Sequence, residues 1–148
     1  MSSVWDLRFL NLAKEISTWS KDPSTKIGAV VVNDDRRILS TGYNGFPKGI
    51  DDNDERLNNR EVKYELVVHA EMNAIYNATK NGVSLNGGTL YCWGLPVCSK
   101  CSLGVISVGI KRVVMLKNNE YPKLWVDEWA KSAKLFDEVG ITYDFVNP

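Results

Sequence analysis

Four side chains in two short segments have the types and the spacing of a zinc site that can carry out chemistry. The first segment contains His69 and Glu71, and the second contains Cys98 and Cys101 in a Cys-x-x-Cys arrangement. His69 is the only histidine of the chain. One imidazole and two thiolates make three ligands, so a tetrahedral zinc ion keeps a fourth position for water, which separates a catalytic from a structural zinc site.

Glu71 has the chemistry of a proton carrier beside such a metal. Zinc lowers the pKa of a bound water molecule until hydroxide is available near neutral pH, and the released proton needs an acceptor. On a helix, the side chains of His69 and Glu71 would diverge by roughly 200°. Glu71 is therefore poorly placed as a fourth ligand, but it can flank the metal-bound water.

Simpler interpretations of these residues stay open. His69 could be a core histidine, and the two cysteines could form a structural zinc knuckle or a redox pair. A structural zinc site would need a fourth cysteine or histidine, and Cys92 is the only remaining candidate. Because Cys92 lies in the apolar segment 89–93, we expect it to be a small buried hydrophobic residue and not a ligand.

The elements that must position these residues alternate along the chain. Strands are predicted at 27–32, 37–42, 89–93, 112–116 and 141–145, and helices at 69–81, 98–108 and 124–139. A first helix is indicated by apolar residues that recur at steps of three and four, namely Trp5, Phe9, Leu12, Ile16 and Trp19.

This order of elements predicts a mixed sheet covered by helices on both faces. Both zinc segments open predicted helices, whose positive N-termini favour thiolates by lowering the pKa of the cysteines. Residues 43–66 are polar and rich in turn residues, so we expect a long loop there, which in a compact domain is more often functional than idle.

Composition indicates a compact enzyme that does not bind a polynucleotide. Residues 1–148 are 44% hydrophobic and 24% charged, which predicts a single domain. Eighteen acidic and eighteen basic residues give a net charge of zero, whereas polynucleotide binding would favour a basic surplus.

No apolar run approaches the roughly 20 residues of a membrane span. Charged residues near the N-terminus argue against a secretory signal, and three cysteines predict no internal disulfide, so we expect a cytoplasmic protein.

Three longer motifs extend beyond the zinc ligands, namely Ser-Lys-Asp-Pro-Ser-Thr-Lys-Ile-Gly-Ala at 20–29, Gly-Tyr-Asn-Gly-Phe-Pro at 42–47 and His-Ala-Glu-Met-Asn-Ala-Ile at 69–75. With these motifs the chain resembles the deoxycytidylate deaminases of the cytidine deaminase superfamily, and the resemblance covers nearly the whole chain. In the zinc segment, Val97 separates Pro96 from Cys98, whereas the family usually has proline directly before the first cysteine. The spacing of the two cysteines is kept, so we expect this difference to affect the entering loop only.

The resemblance implies a fold, a reaction and a set of binding residues. The fold would be a three-layer α/β/α sandwich with a mixed five-stranded sheet. The reaction would be zinc-dependent hydrolytic deamination of dCMP to dUMP with release of ammonia, in the supply of dTMP precursors, with Glu71 as the proton carrier. The implied substrate-binding residues are Lys26, Asn44, His69, Ala70, Glu71 and Tyr121. Taken alone, Lys26 could be a surface lysine and Asn44 a left-handed turn residue.

The resemblance also implies regulation by nucleotides, with dCTP as activator and dTTP as inhibitor of a homohexamer. Backbone amides of a glycine-rich turn can bind a triphosphate, and Mg²⁺ could accompany it. The implied effector-binding residues are Gly42, Tyr43, Asn44, Gly45, Lys48 and Asp51.

Alternatives from two classes remain. The same zinc motif serves tRNA adenosine deaminases, free cytidine deaminases and the deaminase of riboflavin synthesis, but the zero net charge and the motifs at 20–29 and 42–47 argue against these. The chain could also be a noncatalytic zinc-binding or nucleotide-sensing module. The presence of Glu71 argues against a loss of catalysis.

Overall fold

A mixed five-stranded sheet forms the centre of the structure, a computed structural model that describes residues 3–148. The strands are β1 Gly28–Val32, β2 Ile38–Tyr43, β3 Thr89–Trp93, β4 Arg112–Leu116 and β5 Thr142–Val146. Their spatial order is β2-β1-β3-β4-β5. β1 is antiparallel to both β2 and β3, whereas β3, β4 and β5 run parallel. The predicted mixed five-stranded sheet is therefore confirmed.

Helices cover both faces of this sheet, as predicted. The helices in the described part of the chain are α1 Val4–Ser17, α2 Asp54–Asn58, α3 Arg60–Leu66, α4 Ala70–Asn81, α5 Ser99–Ser107 and α6 Lys123–Val139. α1 packs on one face, and α4, α5 and α6 pack on the other. Within residues 3–148, no helix combines the length and the hydrophobicity needed to span a bilayer.

The alternation of side chains along β1 separates two hydrophobic cores. Successive strand residues point to opposite faces, and all five residues of β1 are buried. Ala29 and Val31 belong to the core under α4, α5 and α6, whereas Val30 and Val32 belong to the core under α1. The continuous apolar run of β1 therefore reflects its burial on both sides near the middle of the sheet.

A buried carboxylate fixes α1 against the sheet. Asp6 accepts hydrogen bonds from the Arg112 guanidinium at 2.9 and 2.8 Å and from the Tyr91 hydroxyl at 2.7 Å. Burial raises the pKa of Asp6, but the bonds from Arg112 and Tyr91 outweigh it and hold the pKa below its ordinary value. Asp6 therefore stays charged near neutral pH, and its charge-assisted bonds join α1 to β3 and β4.

The expectation of one long loop over residues 43–66 is wrong for its second half, which contains α2 and α3. Each helix begins at an asparagine cap: Asn53 accepts from the Arg56 amide at 2.9 Å and Asn59 from the Val62 amide at 3.3 Å. Helices this short show no clear hydrophobic periodicity, so the polar composition concealed them.

Trp19 was also wrongly assigned to the buried face of the first helix. α1 ends at Ser17, and the Trp19 side chain is 55% exposed. Its ring lies edge-on to the Tyr43 ring, with 6.1 Å between centroids. The predicted ends of α4 and α6 are confirmed, because Gly82 and Gly140 have left-handed φ values of 70° and 79°.

Candidate active site

The three predicted zinc ligands come together at the N-termini of α4 and α5. His69 is the N-cap residue of α4, Cys98 is the N-cap residue of α5, and Cys101 lies in the first turn of α5. The His69 Nδ1 atom lies 3.5 Å from the Cys98 sulfur and 3.2 Å from the Cys101 sulfur. All three ligand atoms lie within 4.8 Å of one another.

These separations fit a tetrahedral zinc ion. Zinc–nitrogen and zinc–sulfur bonds of ordinary length place a nitrogen and a sulfur ligand about 3.5 Å apart. The observed nitrogen–sulfur distances of 3.2 and 3.5 Å are close to this value. One imidazole with two thiolates is also a donor set that zinc accepts, and it leaves a fourth position open. The residues present can therefore hold zinc in a catalytic arrangement.

The position of Cys98 at the start of α5 favours its thiolate form. The hydrogen bond from the Cys101 side chain lowers the pKa of Cys98, and bonds from the His69 imidazole and the Cys101 backbone amide act in the same direction. The Cys101 amide donates to the Cys98 sulfur at 3.4 Å. A thiolate is the form that binds a metal, so these bonds prepare Cys98 as a ligand. The bond to Cys98 and burial instead raise the pKa of Cys101, so the expectation of a lowered pKa for both cysteines is wrong for Cys101.

Glu71 is buried in the first turn of α4, beside the ligand cluster. Its side chain is 4% exposed, and Ala70, between Glu71 and His69, is fully buried. Burial raises the pKa of Glu71, and the neighbouring His69 and the bond from Cys92 lower it by less. A carboxyl group with a raised pKa can take up a proton in one step and release it in the next.

Cys92 contacts Glu71 and does not join the ligand cluster. Its side chain is fully buried, as expected, but its thiol donates a hydrogen bond to Glu71 Oε1 at 3.1 Å. Burial raises the pKa of Cys92 well above its ordinary value, so it stays a thiol. The apolar segment 89–93 predicted that Cys92 is buried, but nothing in the sequence indicated that Glu71 is its partner.

We expect Cys92→Ala to keep one zinc ion per chain and most of its turnover. A thiol is a weak donor, so losing its bond to Glu71 removes little, and trimming one buried atom should lower the free energy of unfolding by about 1 kcal/mol. Metal analysis and initial rates check this expectation. Loss of zinc from this variant would show that Cys92 is a fourth ligand of a structural site.

Asn44 is buried and holds together the segment before β1 and the end of β2. Its Oδ1 accepts from the Ile27 amide and its Nδ2 donates to the Thr25 carbonyl, both at 2.9 Å. Among residues 3–148, the only non-glycine residue with a positive φ is Arg36, at 64°. The interpretation of Asn44 as a left-handed turn residue is therefore wrong.

Two other residues implied as substrate contacts have backbone partners. Lys26 is exposed, and its ammonium group donates to the Ser20 carbonyl. The Tyr121 hydroxyl donates to the Leu116 carbonyl at 2.7 Å. The structure also brings Trp125 of α6 to His69, with 6.3 Å between ring centroids, a contact that the sequence gave no sign of.

A cavity of about 560 Å³ lies beside the loop that follows β2. Four of the six implied effector residues line it, namely Tyr43, Asn44, Gly45 and Lys48. The other two lie elsewhere: Gly42 packs against α4, where a Cβ atom would clash with the backbone of Ala74, and the Asp51 carboxylate accepts from Asn53 at 3.2 Å. Lys21 and Asp52 also line the cavity and form an ion pair at 3.2 Å.

Comparisons with known proteins agree with this geometry. The family model for the cytidine and deoxycytidylate deaminase zinc-binding region matches residues 3–117. A probable deoxycytidylate deaminase of Caenorhabditis elegans is 41% identical over 142 residues, which cover 93% of this chain and 67% of that protein. An uncharacterized deaminase of Aliivibrio fischeri is 35% identical over 142 residues, covering 95% of this chain and 92% of that protein.

The fold is shared with a solved structure. The dCMP deaminase of cyanophage S-TIM5, crystallised in complex with dCMP and dUMP, superimposes with a TM-score of 0.76 at 23% identity and covers 99% of each chain. This likeness supports the fold, and the sequence matches support the family. The chain therefore belongs to the cytidine and deoxycytidylate deaminase family and is a zinc-dependent hydrolytic deaminase.

Proposed function

We propose that this chain converts dCMP to dUMP and releases ammonia. The observation that carries the proposal is the buried Glu71 carboxyl beside a three-ligand cluster that fits catalytic zinc. The substrate is supported by the relative from C. elegans, a probable deoxycytidylate deaminase, and by the matching cyanophage structure that contains dCMP and dUMP.

The residues of the site divide the chemistry between them. His69, Cys98 and Cys101 would hold zinc, which supplies a water molecule acidified to near neutral pH at its open position. Glu71 would accept one proton of that water and pass it to N3 while the water oxygen bonds to C4 of the cytosine ring. Glu71 would then take the second proton from the new hydroxyl group at C4 and give it to the amine, so that the C4–N bond breaks and ammonia leaves. Burial of Glu71, which raises its pKa, lets it hold the proton between these steps.

A substrate screen tests the proposal directly. The zinc-loaded protein is given dCMP, CMP, cytidine, dCTP and a tRNA, and ammonia release is measured for each. We expect dCMP to have the highest kcat/KM. A higher kcat/KM for cytidine or tRNA would show that the chain is a deaminase of another substrate. If no substrate releases ammonia, the result would support a noncatalytic module.

We also propose that the cavity beside the loop after β2 binds regulatory nucleotides, dTTP as inhibitor and dCTP as activator. Its volume of about 560 Å³ lies in the range of small-molecule sites. Lys48 offers positive charge to a triphosphate. The Lys21–Asp52 ion pair at the cavity would open so that Lys21 meets the phosphates and Asp52 offers an oxygen ligand to an accompanying Mg²⁺. The support for regulation is this combination of volume and charge together with the family resemblance.

We expect dTTP with Mg²⁺ to lower dCMP turnover, dCTP to relieve this effect, and Lys48→Ala to weaken the response to dTTP. Loss of one charge-assisted contact should reduce dTTP affinity by about 1–3 kcal/mol. Kinetics at several dTTP concentrations, with direct binding of dTTP, measure this. Lys134→Ala, an exposed lysine of α6, is the matched control. Turnover that neither nucleotide changes, without dTTP binding, would contradict the regulatory proposal.

The remaining proposals concern the domain organisation, the oligomeric state and the location of the protein. Residues 1–148 would act as one deaminase domain, since the two described cores share a single sheet. Assembly into a homohexamer rests on the family resemblance, and a solution mass measurement tests it. A cytoplasmic location stays a prediction, in keeping with three free cysteines that a reducing compartment preserves.

A further inference from the structure

We infer that Asn73 is a positioning residue that joins the cavity loop to the segment carrying His69. Asn73 lies in α4, one turn after His69. Its side-chain Nδ2 donates to the Tyr43 carbonyl at 2.7 Å and to the Val68 carbonyl at 3.3 Å. Its backbone amide donates to the His69 carbonyl at 2.9 Å. Asn73 therefore contacts the loop after β2, the residue before the zinc ligand, and the ligand itself.

The segment that Asn73 holds is short and also pairs with the loop after β2. Residues 67–69 connect α3 to α4, and Val68 pairs with Gly45 through two backbone bonds, at 3.1 and 2.9 Å. The Val68 carbonyl thus accepts from both Gly45 and Asn73. Because His69 directly follows this residue, the two donors to Val68 fix the backbone from which the imidazole projects.

The same contacts connect this segment to the cavity. Asn73, Tyr43 and Gly45 all line the cavity, so a ligand there would meet the residues that hold Val68 and His69 in place. This part of the inference rests on the proposed nucleotide site. Two sites that share one hydrogen-bonded unit influence each other reciprocally. Loss of the Asn73 amide should therefore loosen His69 and also weaken the effect of a bound nucleotide.

Asn77 provides a matched control on the same helix. It lies one turn after Asn73, and its Nδ2 donates to a carbonyl of β2, that of Thr41, at 2.8 Å. The described contacts of its side chain do not include residues 67–69. Asn73→Ala and Asn77→Ala therefore remove the same amide group and the same kind of bond to β2. Only Asn73→Ala also removes a hydrogen bond to Val68, the residue before the zinc ligand His69.

The test compares zinc release into a chelator, kcat and KM in Asn73→Ala and Asn77→Ala. Because Asn77 also lines the cavity, the dTTP response of Asn73→Ala is compared with that of the unchanged protein. Removing a residue that orients a metal ligand typically costs tenfold or more in metal affinity or activity. We expect Asn73→Ala to release zinc about tenfold faster than the unchanged protein and to lose kcat more than it changes KM. We expect Asn77→Ala to release zinc at the unchanged rate.

A second variant keeps the test sound if Asn73→Ala folds poorly. Asn73→Asp has the same shape but lacks the amide donor, so it should also release zinc faster. Slow zinc release from Asn73→Asp, or equal release rates from the alanine variants of Asn73 and Asn77, would overturn the inference. If dTTP neither binds to the unchanged protein nor changes its turnover, the proposed nucleotide site is wrong. The comparison of zinc-release rates still tests the role of Asn73 in that case.

Discussion

Glu71→Gln is expected to lower dCMP turnover by about 10²–10⁴-fold while zinc stays near one ion per chain. Glutamine has nearly the same shape as glutamate and can still form hydrogen bonds, but its amide cannot accept the proton of the attacking water. Glu71 is buried and does not supply one of the three converging ligand atoms, so its replacement should leave the metal in place. Initial rates with dCMP and metal analysis of the same preparation measure the two effects together.

An exposed glutamate gives the control for this experiment. Glu138→Gln, on the solvent side of α6, removes one negative charge far from any proposed role and should keep both turnover and zinc. If Glu71→Gln retained more than a small fraction of the turnover, another group would have to carry the proton. Loss of zinc from Glu71→Gln would instead show that the carboxylate is a ligand.

Cys98→Ala is expected to lose zinc and turnover together, in contrast to Glu71→Gln. Two remaining donors, His69 and Cys101, hold zinc poorly. The substitution also removes the sulfur that accepts the Cys101 amide at the start of α5. Metal content after dialysis should fall from near one ion per chain toward zero, and His69→Ala and Cys101→Ala should behave alike.

Cys92→Ala is the matched control, because it removes a buried thiol from the neighbourhood of the site without removing a ligand. Stoichiometric zinc in Cys98→Ala would indicate a different ligand set. Recovery of turnover on adding excess zinc to Cys98→Ala would indicate weakened binding with intact chemistry. The contrast between Cys98 and Cys92 therefore separates the ligand role from general damage to the core.

Much of the fold was predictable because it depends on patterns that repeat within one element. The apolar segments predicted the five strands to within one residue, and glycines after α4 and α6 marked where those helices end. α2 and α3 were missed because each has at most seven residues, and their ends depend on the asparagine caps. Trp19 was misplaced because its spacing continued the pattern of α1 after the helix had ended.

The site was predictable only where donor chemistry is specific. The set of one histidine and two cysteines limited the choices for the metal, and the structure brings all three together. The contact of Cys92 with Glu71 and the bonds of Asn73 to residues 43 and 68 join separate elements, so they depend on tertiary packing that no local pattern encodes. The same is true of Asn44. The Asn-Gly sequence predicts a turn residue, but the Asn44 side chain instead binds the backbone of Thr25 and Ile27.

The zinc ligands also lie far apart along the chain, so a bound metal would stabilise the fold as a cross-link. His69 and Cys98 are 29 residues apart, and α4 and β3 lie between them. A zinc ion that joins the two residues closes a loop around these elements and acts as a cross-link. By analogy with a disulfide, a loop of this length restricts the unfolded chain by roughly 3–4 kcal/mol. Chelation of zinc should therefore lower the free energy of unfolding as well as stop the chemistry.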